Sequence, residues 1–304
     1  MKGTVMRSTG SFYDVLGEDG KHYNCRVRGK IRLEGIKETN PVAVGDVVTI
    51  ELEHAIGSIL DILPRKNHIL RQSVKKTGHT HVLAANIDQA MLVVTLSFPR
   101  TSLGFIDRFL VSAEAFRIPQ IIVFNKKDLL DAKGLQTLNS LCTLYSGIGV
   151  TCIAVSALQE DLQSIRDILT NKTTLIAGHS GVGKSTLLNK ISPDIRQSVG
   201  IISEFSEKGT HTTTFAEMFR LDETSFVIDT PGVKEWGLAD MNQQEISDYF
   251  PEMRELRLGC KFQSRCIHIN EPKCAILDAV HSGAIALSRY ESYLSMVAGE
   301  DNRK

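Results

Sequence analysis

Nine consecutive residues, Gly178, His179, Ser180, Gly181, Val182, Gly183, Lys184, Ser185 and Thr186, form the pattern most charged with chemistry. They follow the apolar run TTLIA and open the segment KSTLLNKI, so a strand, a glycine-rich loop and a helix N-terminus succeed one another. Glycines let backbone N–H groups wrap phosphate oxygens, and the helix N-terminus adds a favourable dipole. In such a loop Lys184 bridges the β- and γ-phosphates of a nucleotide, and the Ser185 hydroxyl ligates Mg²⁺. A turn without a ligand requires no such agreement among strand, loop, Lys-Ser pair and helix.

The base is read elsewhere. Asn125, Lys126, Lys127 and Asp128 follow the strand-like run QIIVF and fit NKxD. The Asp128 carboxylate can accept from guanine N1–H and N2–H₂ together, a donor pair that adenine lacks, so ATP should be rejected. Ser156 and Ala157, after CIAV, resemble the third base-contacting loop, whose backbone amide faces guanine O6. Asp229, at the end of SFVID, begins DTPG and fits DxxG: it would hold Mg²⁺ through water, with the Gly232 amide sensing the γ-phosphate. Between them GTHTTT offers the hydroxyls of Thr213 and Thr214 for Mg²⁺, without deciding which.

These motifs run NKKD, SAL, P-loop, threonines, DTPG, whereas the ordinary order begins at the P-loop and ends with NKxD and SA. The cyclic order is the same, cut after DxxG. A sheet depends on which strands are neighbours and not on where the chain begins, so the permutation can keep the site whole. The cut leads the second switch directly into the C-terminal region, which γ-phosphate-dependent ordering of the switch would reposition. Val233 stands where signalling GTPases place the glutamine that orients attacking water, which a valine side chain cannot do, so intrinsic hydrolysis should be slow. His211 is the candidate for positioning water.

The elements that must position these residues come in three textures. From residue 3 to about 65, short β-rich runs separated by turn-like EDG, PVAVGD and HAIG suggest a small barrel or sandwich. Within it Arg26, Arg28, Lys30 and Arg32 alternate with apolar or small residues, which on a strand puts four cations on one face. Such a face is either solvated or phosphate-binding; a second basic cluster, Arg65, Lys66, Arg71, Lys75 and Lys76, favours nucleic acid. From about residue 86, buried β runs alternate with helical patterns at 106–115, 129–145 and 162–169, indicating a doubly wound parallel sheet with ligand chemistry on the loops after its strands. After Gly232 the pattern turns helical, interrupted where Cys260, Cys266 and Cys274 crowd beside His268; in a reducing compartment that crowding points to metal before disulfide.

The chain has 304 residues, 42% hydrophobic and 23% charged, enough for two or three packed domains. Its formal net charge is zero, so a nucleic-acid contact must come from a local face rather than a global field. No secretory signal and no run of eighteen apolar residues is present, so the chain is expected to be soluble and cytoplasmic, without membrane contact.

Across nearly its whole length the chain resembles the bacterial ribosome small-subunit-dependent GTPase A family (RsgA, also called YjeQ or YloQ), on RVRGKIR, LPRKN, the permuted motifs, GTHTTT, DTPGVKEWGL and the Cys/His tail. The resemblance implies GTP hydrolysis stimulated by the small ribosomal subunit, a role in late maturation of that subunit, and binding of its rRNA. It implies three units: an oligonucleotide-binding-type (OB-type) β-barrel at 1–70, a circularly permuted α/β P-loop GTPase domain at 71–235 and a helical zinc-binding domain at 236–304, in a monomer. It also carries a zinc site onto Cys260, Cys266, His268 and Cys274, an S₃N set suited to a closed tetrahedral structural zinc. In two places the chain departs from the pattern. Cys260 and Cys266 enclose five residues where four are expected, which makes Cys260 the least secure ligand, and Thr210 stands where similar proteins often carry Arg. Two other readings stay open: a GTP-dependent switch with a protein partner, and an RNA-binding factor whose turnover is incidental.

Overall fold

In the computed structural model the described residues are 1–28, 41–53, 56–72, 80–192, 216–229 and 241–299. The first five strands are β1 (Lys2–Ser8), β2 (Tyr13–Gly17), β3 (His22–Val27), β4 (Val47–Glu53) and β5 (Ile56–Ile62). Their order is β1-β2-β3-β5-β4, and β4 pairs back onto β1. All these pairings are antiparallel except β3 with β5. This is the five-stranded OB-type barrel expected, and closure leaves it no open edge to aggregate. Alternate residues point inward, so Val5, Tyr13, Val15, Cys25, Val48, Ile50 and Ile59 fill the interior.

Residues 63–67, the LPRKN segment, fasten the barrel to the main sheet. Arg65 is not a surface cation: its guanidinium is buried, donating to Asp46 at 2.7 and 2.8 Å and to the Pro41 carbonyl at 2.8 Å. Lys66 reaches across to Asp88 at 2.7 Å, and the Asn67 amide brackets Ile87, donating to its carbonyl and accepting from its N–H. Asn86 answers by donating to Gly45 O at 2.9 Å. Two members of the second basic cluster therefore serve the junction; Arg65, being buried, no longer argues for a phosphate face, whereas the Lys66 side chain stays 65% exposed. Lys75 and Lys76 lie outside the described residues.

An antiparallel ribbon, β6 (His68–Gln72) and β7 (Thr80–Ala85), comes next. The main sheet comprises β8 (Gln89–Val94), β9 (Gln120–Phe124), β10 (Thr151–Ala154), β11 (Thr173–Ala177), β12 (Glu217–Arg220) and β13 (Phe226–Asp229), ordered β10-β9-β8-β11-β13-β12. The first five in that order are parallel, and β12 is antiparallel to β13. Helices α1 (Leu103–Glu114) and α2 (Ala132–Gly147) cover one face with Leu92, Val94, Ile122, Phe124 and Leu175. Helices α3 (Gln163–Leu169) and α4 (Lys184–Ile191) cover the other with Met91, Val93, Ile121, Val123 and Ile176. Burial on both faces is why these strands read as continuous apolar runs. One pairing, Arg7 with Glu217, carries the hydrogen-bonded order on from the main sheet into the barrel.

The C-terminal region is built from short helices, α5 (Gln243–Ile246), α6 (Pro251–Arg254), α7 (Ala275–His281) and α8 (Leu287–Val297), with 3₁₀ turns between them. It packs on α1, whose Val111 joins Ile246, Phe250, Met253 and Tyr293 in one core. Into this contact Arg289 sends a fully buried guanidinium that donates to Asp107 of α1 at 2.6 Å and to Glu252 at 2.7 and 3.2 Å. Burial opposes its charge, but the two carboxylates outweigh burial and hold its pKa above the ordinary value. Tyr145 of α2 donates to the same Asp107 oxygen at 2.9 Å, and Arg254 pairs with Glu114. Among the described residues no helix is long and apolar enough to cross a membrane.

Candidate nucleotide and metal sites

Parallel strands deliver their C-terminal loops to one edge of the sheet. After β11 the loop 178–183 takes glycine-only conformations: Gly178 has φ 150°, Gly181 81° and Gly183 97°. At Gly183 space is the second constraint, since a Cβ would lie 2.3 Å from the Asn125 amide nitrogen. That amide donates to Val182 O at 2.9 Å, and its oxygen accepts from Ala157 N at 3.0 Å. Asn125 thus touches both the phosphate loop and the third base loop and is 5% exposed. Lys126, at φ 60°, extends its ammonium to Gly181 O at 2.7 Å and Phe98 O at 2.8 Å. NKKD, SAL and the P-loop, separated along the chain, are brought together as the motifs require.

Lys184 opens α4 and curls back, donating to Gly178 O at 2.5 Å and His179 O at 3.4 Å. Burial lowers its pKa and Asp229 raises it, so this is a desolvated cation whose nearby counter-charge is the DxxG carboxylate. Such a glycine-rich loop, leading into a helix N-terminus that carries one cation, fits a di- or triphosphate. Ser185 follows at the exposed start of the helix and Thr186 is half-buried; the His179 ring lies against Phe105 of α1, centroids 3.9 Å apart. Ser180 is exposed at the loop tip. Asp128 accepts from Gln159 at 3.3 Å, and Ser156 is 2% exposed. His211, Thr213, Thr214 and Gly232 lie outside the described residues, as do Thr210 and Val233.

The second site gathers Cys260, Cys266, His268 and Cys274, all buried, with ligand atoms within 4.8 Å of one another. Cys260 Sγ stands 3.8 Å from Cys274 Sγ and 3.6 Å from His268 Nδ1; Cys266 Sγ stands 3.8 Å from Cys274 Sγ. A tetrahedron with metal–sulfur bonds of about 2.3 Å has sulfur–sulfur edges of about 3.8 Å, so the quartet already has the dimensions for zinc. His268 Nε2 meets the Ser247 hydroxyl at 3.3 Å, which orients the ring so that Nδ1 faces the sulfurs. Burial raises the Cys266 thiol to about 12, raises that of Cys274, and lowers His268. The longer spacing between Cys260 and Cys266 is absorbed by one 3₁₀ turn, Gln263–Arg265, with Gln263 at φ 46°. Cys260 therefore stands with the other three.

On the barrel, Arg26 is exposed with its guanidinium 4.0 Å above the Phe12 ring, and Arg28 is exposed and paired with Glu51 at 2.7 Å. Lys30 and Arg32 lie outside the described residues. Sequence reasoning missed Gln159 and Glu160, which directly follow SAL and face the NKKD loop; side-chain direction is not legible in an adjacency. It also missed the loop 95–101, which Lys126 ties to the phosphate loop.

The comparisons with known proteins agree with this geometry. The family model described as RsgA GTPase matches residues 62–239, and the RsgA N-terminal domain matches residues 2–59. The protein named small ribosomal subunit biogenesis GTPase RsgA in Christiangramia forsetii is 48% identical, over 99% of this chain and 97% of its own length. The protein of that name in Bacteroides fragilis strain NCTC 9343 is also 48% identical, over 100% and 98%. The crystal structure of YjeQ from Thermotoga maritima superposes with a TM-score of 0.77 at 34% identity, covering 100% of this chain and 99% of that one. The crystal structure of YloQ, a circularly permuted GTPase, gives 0.73 at 32% identity, covering 100% of this chain and 96% of that one. With permuted motifs meeting at one sheet edge, a barrel before them and a Cys₃His cluster after them, the chain belongs to the RsgA GTPase family.

Proposed function

We propose that this GTPase acts on the small ribosomal subunit during its late maturation, binding the subunit and its rRNA and hydrolysing GTP when the subunit stimulates it. The observation that carries this is Asn125 donating to Val182 across 57 residues of reordered chain: the permutation leaves a guanine loop and a phosphate loop in contact. The subunit enters through the relatives, whose names place them in small-subunit biogenesis.

In this scheme Asn125, Lys126, Lys127 and Asp128 with Ser156 and Ala157 hold guanine, while residues 178–186 cradle the phosphates. Lys184 stabilises charge on the β- and γ-phosphates, Gly232 senses the γ-phosphate, and His211 positions water. Ser185, Asp229 and one of Thr213 and Thr214 hold Mg²⁺, which when bound neutralises charge developing on the phosphates. One structural zinc sits on Cys260, Cys266, His268 and Cys274, supported by the quartet's edge lengths. Arg26, Arg28, Lys30 and Arg32 meet rRNA phosphates; the exposure of Arg26 and Arg28 supports this, and Arg26 is already stacked on Phe12. The chain divides near residues 70 and 235, works as a monomer and resides in the cytoplasm.

The test is steady-state hydrolysis of GTP and ATP, alone and with small subunits, large subunits or an unrelated RNA. Slow GTP-only turnover accelerated by small subunits alone is expected. Turnover indifferent to small subunits would remove the ribosomal assignment and leave the GTPase.

A further inference from the structure

We infer that Glu160, outside all the nucleotide motifs, is a positioning residue for guanine selectivity, acting with Gln159 to fix the Asp128 carboxylate. This rests on the reading that Asp128 recognises guanine.

Glu160 uses both carboxylate oxygens. Oε1 accepts from Lys127 Nζ at 2.7 Å and Oε2 from Ser156 N at 3.2 Å, so one side chain grips the variable residue of NKKD and the first residue of SAL. Gln159 donates to Asp128 Oδ2 at 3.3 Å. The Ser156 hydroxyl is buried without a hydrogen-bond partner among the described residues, so it does not hold the aspartate. Behind this segment Lys190, near the end of α4, donates to the carbonyls of Leu158 and Glu160, while Arg166 donates to Lys190 O at 3.0 Å. Asn125 and Lys126 close the circuit by bonding Val182 O and Gly181 O.

The result is a ring of bonds: P-loop helix to third base loop through Lys190, third base loop to NKKD through Glu160, and NKKD back to the P-loop through Asn125 and Lys126. The Lys127–Glu160 pair is about one third exposed on each side, so its Coulomb energy alone matters little. Its effect is geometric. A carboxylate that must accept two guanine donors at once loses selectivity when its loop swings, because the donors are arranged for one orientation only.

Inosine lacks the 2-amino group of guanine, so the ratio of GDP to IDP affinity reads the second bond to Asp128. We would titrate GDP, IDP and ADP into the full chain with Mg²⁺, comparing wild type, Glu160→Ala, Glu160→Gln and Gln159→Leu. Glu160→Ala should lower the GDP-to-IDP ratio about tenfold, the size expected for one charge-assisted hydrogen bond, with Glu160→Gln and Gln159→Leu intermediate. Glu160→Gln keeps shape and the Ser156 contact, so it decides the matter if Glu160→Ala does not fold. A ratio within about twofold of wild type in the folded Glu160 variants overturns the inference. A wild-type chain that fails to prefer GDP over IDP and ADP overturns the underlying assignment of Asp128 as well.

Discussion

Replacing Arg289 with Met tests how the C-terminal region is held to the GTPase unit. The guanidinium is 1% exposed, as is its partner Asp107, whereas Glu252 is 12% exposed and can regain some water. The loss therefore concentrates on Asp107, left charged in a dry contact. One of its oxygens would keep the Tyr145 hydroxyl at 2.9 Å; the other is buried without a hydrogen-bond partner among the described residues. Removing one partner of a buried pair costs about 3–5 kcal/mol, and the poor residual solvation of Asp107 argues for the upper half of that range. Neutralising the orphan should recover much of it: Arg289→Met with Asp107→Asn should cost about 2 kcal/mol or less, since Asn still accepts from Tyr145. Urea unfolding followed by circular dichroism measures both, with reactivity of the C-terminal cysteines toward a thiol reagent reporting release of that region. A single-variant loss below about 1 kcal/mol, or a double variant worse than the single, would refute the argument.

Three other outcomes are expected from the same structure. Gly183→Ala should fold yet lose GDP binding, since its Cβ would sit 2.3 Å from the Asn125 amide at φ 97°, and strain of about 1–3 kcal/mol would part the phosphate and base loops; near-normal affinity in a nucleotide titration would contradict this. Burial raises the Glu217 carboxyl above its ordinary 4.5, with Asp14 and Asp229 adding to burial and Arg7 opposing it. An acid raised on folding weakens the fold once the unfolded chain ionises, so Glu217→Gln should be neutral below about pH 4 and increasingly stabilising as pH rises through the raised value. Melting curves from pH 3 to 8 check the sign. Purified chain should contain one zinc, and its chelation should expose the three buried cysteine ligands to thiol reagents and lower the melting temperature; zinc-free chain with an unchanged melt would return the cysteines to an ordinary core.

The features most legible in the sequence were those imposed by local chemistry. Strands β8, β9 and β11 announced themselves because both faces of the sheet are covered, and the P-loop because its backbone tolerates little but glycine. The four metal-site residues were visible from type and spacing, although the 3₁₀ turn that fits the extra residue was not. Strand β12 was overlooked: four residues, Glu217–Arg220, carry too short a pattern to stand out. Cations misled more than apolar residues did. Arg65 looked like a surface phosphate ligand and is a buried structural anchor, and Arg289, which nothing in the sequence singles out, is 1% exposed. A charged residue's partner lies at an arbitrary distance along the chain, 19 residues for Arg65 and 182 for Arg289, and periodicity contains nothing about it.

Strand order also sets the schedule on which the nucleotide site comes into being during synthesis. Domains fold largely as they emerge, N-terminal parts first. The barrel closes with Ile62, and β8, β9 and β10 then complete one half of the sheet with both base-reading loops by about residue 160, leaving the free side of β8 waiting for β11. The phosphate loop arrives only when β11 docks there, 85 residues after its register partner on β8. In the unpermuted order phosphate binding would be available first and base selection last. Here a nascent chain acquires selectivity before it acquires grip, and the clamp on α1 made by Arg289 comes last of all.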